Sequence, residues 1–314
     1  MLIKGLRSIP FREKIVRGRC EWSIGIYTGS SPFDLGEPDN LCNPILTAKH
    51  VTDVRANFVA DPFMVRENDR WYMFFEVLNA RDRLGDIGLA TSDDGLDWQY
   101  EKIVLDEPFH LSYPYVFKWQ NEYYLIPESY QMNSVRLYKA VDFPQKWFFV
   151  KTLLDGGDYV DSSIFYFKEK WWLFTLMFKS NNLRLFYADE PTGVWTEHPQ
   201  SPVIQSNINI ARPGGRVIDF RGKIFRYTQD IEGIYGNQVR AFEVTELTTK
   251  SYREREVKKN PILKASGSGW NKIGMHTIDP IQIDLNQWIA CVDGCRLALV
   301  LGLENSRFNF IWRY

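Results

Sequence analysis

The sequence is short of the residues that would support several simple readings. Only four cysteines and four histidines occur in 314 residues. Cys291 and Cys295 are separated by three residues, but no second pair and no nearby histidine completes a zinc site. Cys20, Cys42, Cys291 and Cys295 therefore read as reduced thiols, and no metal or other cofactor is expected. No apolar run reaches the roughly 18 residues of a membrane span, and no charged leader runs into an apolar signal core, so the chain reads as soluble and cytoplasmic. An excess of one charge is missing too: 38 Lys+Arg against 39 Asp+Glu leave a net charge of −1, which offers nucleic acid no long-range attraction. The local exception is the N-terminus, where Lys4, Arg7, Arg12, Lys14, Arg17 and Arg19 face only Glu13. Residues 1–20 read as a basic, solvated arm, because Ile3, Leu6, Ile9 and Phe11 make too weak an apolar face for a membrane surface. Sustained apolar spacing at about 3.6 residues is also absent, which disfavours Rossmann and TIM architectures.

What is present is 45% hydrophobic residues, enough for a sizeable core, and 11 Trp, 16 Tyr and 21 Phe, together 15% of the chain. Aromatics at that density suit sheet faces, where they pack across strands. The chain also repeats itself about every 50 residues. A strand, a polar turn and an aromatic strand run as DPFMVRENDRWYMFFE from Asp61, YPYVFKWQNEYYLIPE from Tyr113 and DSSIFYFKEKWWLFT from Asp161, with weaker copies from Arg212 and His276. A second marker, a short apolar strand followed by a turn and usually Trp, begins at Ile87, Val135, Leu183 and Val239 and keeps the same phase. Five copies of about four short antiparallel strands predict an all-β, five-bladed β-propeller filling residues 21–314 as one domain. IGIYTGSSPF from Ile24 repeats the third-strand marker, and NPIL at Asn43 echoes NPIL at Asn260. The N-terminal segment is thus expected to complete the blade begun at His276, although CRLALVLG from Cys295 competes for that slot.

In a propeller the innermost strands converge on a central channel, so in-phase residues meet there. That position holds Asp61, Tyr113, Asp161, Arg212 and His276, with His110, Asp158 and Asp279 nearby, and Glu76, Glu128 and Asp230 at the far ends of the second strands. An Asp before Pro can equally be a strand-opening turn residue. A polar set recurring in phase at one channel mouth favours function. Two carboxyl groups sharing a pocket can divide acid and base roles when their surroundings push their pKa values apart, which is what glycoside hydrolysis requires. Arg212 and Arg216 flank PGG, and such a segment suits either a bound anion or an Arg bonded to a neighbouring blade. Of Trp171 and Trp172, at most one can face the channel.

ADPF at Ala60–Phe63, leading into an aromatic strand, resembles the blade-one motif of the five-bladed propeller glycosidases of the arabinanase, xylosidase, invertase and levansucrase type. The resemblance implies that Asp61 is base or nucleophile; Tyr113 stands where those families place a second Asp, and Asp161 where they place an acidic Glu. From about Asn57 to Tyr252 the strings HLSYPYVF, YYLIPES, LYKAVDFPQKW, WWLF, ARPGG and YTQD resemble the propeller module that precedes the transferase domain in plant glucosamine inositolphosphorylceramide transferases and related bacterial proteins of surface-sugar synthesis. The function expected is action on a glycosidic bond in surface-glycan or glycolipid metabolism, with Asp61 as base or nucleophile and Glu128 or Asp161 as proton donor. His110, Tyr113, Arg212, Asp230, His276 and Glu76 would orient the sugar. The alternative is a non-catalytic glycan-binding or scaffold propeller. The partners expected are a carbohydrate or sugar-containing small molecule and a glycosyltransferase or sugar-modifying enzyme.

Overall fold

The computed structural model describes residues 15–302, with side chains from Cys20 to Leu297. Five antiparallel sheets form the blades of the expected propeller. From the channel outward, blade one is Ala56–Glu67, Arg70–Asn79, Gly85–Ser92 and Gln99–Leu105, and blade two is Ser112–Trp119, Glu122–Glu128, Ser134–Asp142 and Lys146–Asp155. Blade three is Tyr159–Phe167, Lys170–Met177, Asn182–Ala188 and Thr196–Glu197; blade four is Ile218–Phe220, Lys223–Asp230, Gln238–Leu247 and Tyr252–Glu256. Among the described residues, no helix is long and apolar enough to cross a membrane.

The phase markers have direct structural meanings. The second marker is the third strand of each blade, and its Trp closes the turn that follows. Trp98 Nε1 donates to Gly95 O at 2.8 Å, Trp147 Nε1 to Pro144 O at 2.9 Å and Trp195 Nε1 to Pro191 O at 3.2 Å. Other aromatics seal neighbouring blades edge to face or tilted: Phe74 on Trp147, Phe117 on Trp171, Phe174 on Tyr252 and Phe220 on Trp288, with centroids 5.4–5.8 Å apart.

In blades one to three the innermost strand bulges at its predicted start, and this aims the site. Pairing jumps from Ala60 to Phe63, from Ser112 to Tyr115 and from Val160 to Ser163. Within those jumps Asp61, Tyr113 and Asp161 take φ values of 52°, 44° and 49°. A left-handed backbone at a non-glycine residue costs about 1–3 kcal/mol, and its recurrence at one phase singles these positions out as a candidate site. Blade four departs from this pattern. Its ARPGG segment runs beside the second strand, with Gln229 N–H donating to Arg212 O and Gly214 N–H to Tyr227 O, while Ile278 N–H of blade five donates to Gly214 O. A Cβ on Gly215 would lie 1.9 Å from Ile278 O, so only glycine lets the two blades approach.

Blade five is split as expected: Ile278–Asp284 and Gln287–Gly302 come from the C-terminal side, Ile15–Ser31 and Asp34–Gly36 from the N-terminal side. The N-terminal segment takes the third-strand slot. CRLALVLG does not compete for it, being the continuation of the long second strand. The NPIL echo is also structural: Asn43 brackets the Ile26 peptide at 2.9 and 3.0 Å, and Asn260 brackets the Ala241 peptide at 2.8 and 2.9 Å, each in a third strand. Arg17 and Arg19 lie within the paired strand Ile15–Ser31, whereas Lys4, Arg7, Arg12 and Lys14 lie outside the described residues.

The expectation of four reduced thiols is corrected. Cys20 and Cys295 form a disulfide, because pairing of the two terminal strands brings their Cα atoms to 5.9 Å across 275 residues of sequence. Cys42 and Cys291 are free.

Candidate functional site

The bulged residues and the ends of the second strands meet at one mouth of the channel. Asp61 Oδ1 accepts a hydrogen bond from Thr277 Oγ1 at 2.7 Å and lies 3.2 Å from His276 Nε2; Oδ2 accepts from Tyr113 N–H at 3.3 Å. On its other side His276 Nδ1 lies 2.9 Å from Asp293 Oδ2. Asp293 also accepts from the backbone N–H groups of Asp61, His276 and Thr277, each at 3.0 Å. Beside this chain, Asp161 Oδ2 accepts from Arg212 Nε at 2.5 Å and from Gln229 Nε2 at 2.7 Å. Glu128 Oε2 lies 3.8 Å from Arg212 Nη2, and Glu76 Oε1 lies 3.7 Å from His110 Nε2.

Removal from water dominates the electrostatics. Burial pushes the Asp61 carboxyl up to about 6, with Asp293 and Asp161 adding to the rise and His276 and Thr277 opposing it. Burial lifts Glu128 well above the ordinary carboxylate range; Asp161 adds to this and Arg212 works against it. Glu76 is lifted likewise by burial, then by the charges of Asp61, Asp293 and Asp161. Burial lowers His110 to about 4, and its Nδ1 accepts from Gly85 N–H at 2.9 Å, so the neutral ring presents Nε2–H towards Glu76. For His276 burial opposes the charge, but Asp293 and Asp61 outweigh it and the pKa rises. Burial weighs against the Arg212 charge, but the Asp161 carboxylate above all outweighs it and the pKa rises. The mouth therefore holds two buried glutamates, Glu76 and Glu128, whose protonated forms burial favours, next to a buried Arg–Asp pair and an Asp–His–Asp chain.

The structure brings together Asp61, Glu76, His110, Glu128, Asp161, Arg212 and His276, but it places Tyr113 and Asp230 differently. Tyr113 presents only its backbone N–H to Asp61. Its buried hydroxyl lies 2.9 Å from Ser163 Oγ and accepts from Gly215 N–H at 2.7 Å, deeper along the channel. Asp230 points to its own blade, accepting from Gln238 Nε2 at 2.8 Å and Arg240 Nε at 3.3 Å. The residue that faces the mouth there is its neighbour Gln229, because adjacent strand residues point to opposite faces. The same phase exposes an omission. Five residues on from Trp71, Tyr123, Ile224 and Trp288 come Glu76, Glu128, Gln229 and Asp293, so Asp293 was legible within the fifth repeat. Asp158 accepts from Lys179 N–H at 2.8 Å in a turn. His198 is buried, with Nε2 2.9 Å from Thr248 O. The carboxylates facing Arg212 and Arg216 are the protein's own, Asp161 in blade three and Asp279 in blade five.

Two aromatics roof the mouth, and sequence phase does not reveal them. Trp22 lies tilted by 42° against His276 with centroids 4.1 Å apart, and Tyr235, from the loop after the second strand of blade four, lies 5.2 Å from His276 and 5.1 Å from the Arg212 guanidinium. Gly236, with φ 69°, lets the loop press on Trp22, where a Cβ would come within 2.6 Å. Asp61, His276 and Asp293 offer ligand atoms within 4.8 Å of one another, which could hold a cation, but both imidazole nitrogens already face carboxylates.

A family model described as glucosamine inositolphosphorylceramide transferase 1, N-terminal, matches residues 17–295. The chain is 36% identical over 317 residues to glucosamine inositolphosphorylceramide transferase 1 of Oryza sativa subsp. japonica, covering 94% of this chain and 42% of that protein. Against the Arabidopsis thaliana protein of the same name the identity is 35% over 301 residues, with coverage of 88% and 39%. The chain thus spans about two fifths of the length of these curated relatives. Among solved structures, a thermostable family-43 glycoside hydrolase superposes with a TM-score of 0.57 at 14% identity, covering 85% of this chain and 98% of that one. A family 117 glycoside hydrolase from Zobellia galactanivorans gives 0.51 at 16% identity, with coverage of 76% and 84%. An exo-1,5-alpha-L-arabinanase from a bovine ruminal metagenomic library gives 0.52 at 16%, with coverage of 79% and 94%. At such identities the likeness is one of fold.

Proposed function

Because the chain belongs to the family of the glucosamine inositolphosphorylceramide transferase 1 N-terminal module, we propose that it is a carbohydrate-recognising propeller whose polar mouth binds a sugar or sugar-bearing head group. The observation that carries this reading is the engagement of both oxygens of Asp61, the residue in the base or nucleophile position, whereas the bonds to Asp161 both fall on Oδ2. Asp61 accepts from Thr277 and the Tyr113 backbone beside His276, and Asp161 accepts from Arg212 and Gln229. A carboxylate that must attack a sugar carbon or activate water needs a free oxygen. Glu76 and Glu128, at the ends of the second strands of adjacent blades, with burial favouring their protonated forms, suit hydrogen bonding to sugar hydroxyls. In this reading the protein serves glycan or glycolipid metabolism beside a sugar-transferring enzyme, since its curated relatives carry the matched module within longer chains named as transferases.

Glycoside hydrolysis is the second reading, favoured by one observation: Asp61, pushed up to about 6, shares the mouth with Glu128, whose carboxyl burial pushes well above the ordinary range, the direction of divided labour that acid and base require. One experiment separates the two. The purified chain is screened against oligosaccharides, glycolipid head groups and nucleotide sugars with both binding and product detection. Recognition predicts saturable binding without turnover, weakened at least tenfold by Glu128→Gln. Turnover abolished by both Asp61→Asn and Glu128→Gln would establish hydrolysis instead, and no binding to any class would refute both.

A further inference from the structure

Away from the mouth, the inner strands of blades two to four frame a concave feature. Arg216 Nε and Nη2 clasp Asp279 at 2.5 and 3.1 Å, while Nη1 donates to Val116 O at 2.9 Å and Nη2 approaches Met64 O at 3.4 Å. Met64, Val116 and Asp279 each lie three residues beyond Asp61, Tyr113 and His276, roughly 10 Å further along their strands. The clasp ties four blades together below the polar mouth. Past it opens a crevice of about 240 Å³ with Phe117, Trp171 and Tyr166 on one wall and Arg216 and Asp219 on the other. Trp171 is flanked by Phe117 and Tyr166, each with centroids 5.4 Å away. Tyr166 is 56% exposed, more open than Phe148 or Phe149.

We propose that this crevice is a second ligand site, separate from the mouth, that takes a single neutral hexopyranose ring. Tyr166, backed by the buried Trp171 and Phe117, offers an aromatic surface to the apolar C–H face of such a ring, and the Asp219 carboxylate, whose Oδ1 already accepts from Gly222 N–H, has Oδ2 to accept from its hydroxyl edge. Asp279 neutralises Arg216, the cation of the crevice, so an anionic sugar gains nothing there and meets Asp219. The volume lies below the roughly 300 Å³ at which drug-sized pockets begin, which limits the occupant to about one ring. Of the tryptophan pair noted in the sequence, Trp171 faces this crevice and Trp172 is inter-blade core.

The test is saturation-transfer NMR and titration calorimetry with the methyl glycosides of glucose, galactose and mannose, and with glucuronate, on the wild-type chain and three variants. At least one neutral glycoside should bind, at least fivefold more weakly in Tyr166→Ala and in Asp219→Asn, unchanged in Glu128→Gln, and better than glucuronate. Tyr166 and Asp219 are surface residues, so these variants should fold. Loss of binding in Glu128→Gln with retention in Tyr166→Ala assigns the sugar to the mouth and overturns the second site. Absence of binding at millimolar concentration, or preference for indole over every glycoside, also overturns it. Apart from that reassignment, these outcomes leave the reading of the mouth to the Glu128 variant with larger ligands.

Discussion

Glu128 is the residue at which the physical chemistry of the mouth is most open to measurement. Burial and the Asp161 charge lift its carboxyl well above the ordinary range, with Arg212 in opposition. Below the unfolded carboxylate pKa both states are protonated and no stability is lost; above it only the folded chain keeps the proton, so stability falls as pH rises towards the folded pKa. Glu128→Gln keeps the shape of the neutral acid and removes this titration. In thermal unfolding it should match wild type at about pH 4 and exceed it at about pH 8 by about 1–3 kcal/mol, the scale of one poorly satisfied buried polar group. A variant less stable than wild type at the higher pH would show that Glu128 is ionised and paired. Individual residues were legible in the sequence only as far as strand parity was read correctly. Glu76 and Glu128 followed from phase, whereas Asp230 was one residue off and Gln229 holds the place, because a single step along a strand reverses the face.

At the scale of elements, the bulged inner strand is the device that turns a repeat into a site. Two blades use a left-handed Asp to aim a carboxylate at the mouth, a third uses a left-handed Tyr whose hydroxyl goes deeper along the channel, and the fourth uses ARPGG to admit its neighbour. Gly215→Ala should therefore destabilise the chain by about 3 kcal/mol or more in urea unfolding, since the added Cβ meets the backbone of Ile278. Gly222→Ala, at φ 74° with open space around it, should cost only about 1–2 kcal/mol of backbone strain. Equal effects would mean that the approach of blades four and five is not what requires glycine. The strands themselves were readable from two periodic markers. The disposition of ARPGG was not, because whether a Gly-rich run serves an anion or a neighbouring blade depends on which carboxylates lie across the gap.

For the whole molecule, closure rests on the pairing of Ile15–Ser31 with Gln287–Gly302 and on Cys20–Cys295. Joining strands so distant in sequence removes two open edges and restricts the unfolded chain. Thiol titration of the denatured, unreduced protein should give two thiols per chain rather than four, and Cys20→Ser should lower stability by about 2–4 kcal/mol. Two thiols in protein taken from its native cells would place the chain in an oxidising compartment, against the cytoplasmic expectation; four would refute the bridge.

The sequence alone determined the class of fold, the number of blades, the split of the last one and most of the polar set at the mouth, since these follow from periodicity, which is local. Only the tertiary structure decided how each polar group is used. It joined Cys20 to Cys295, set Asp293 and His276 behind Asp61, gave Asp161 to Arg212 and Gln229, turned Asp230 away and roofed the mouth with Trp22 and Tyr235. Those outcomes depend on burial and on partners from other blades, and burial and partnership decide whether a carboxyl group is charged, neutral or already engaged.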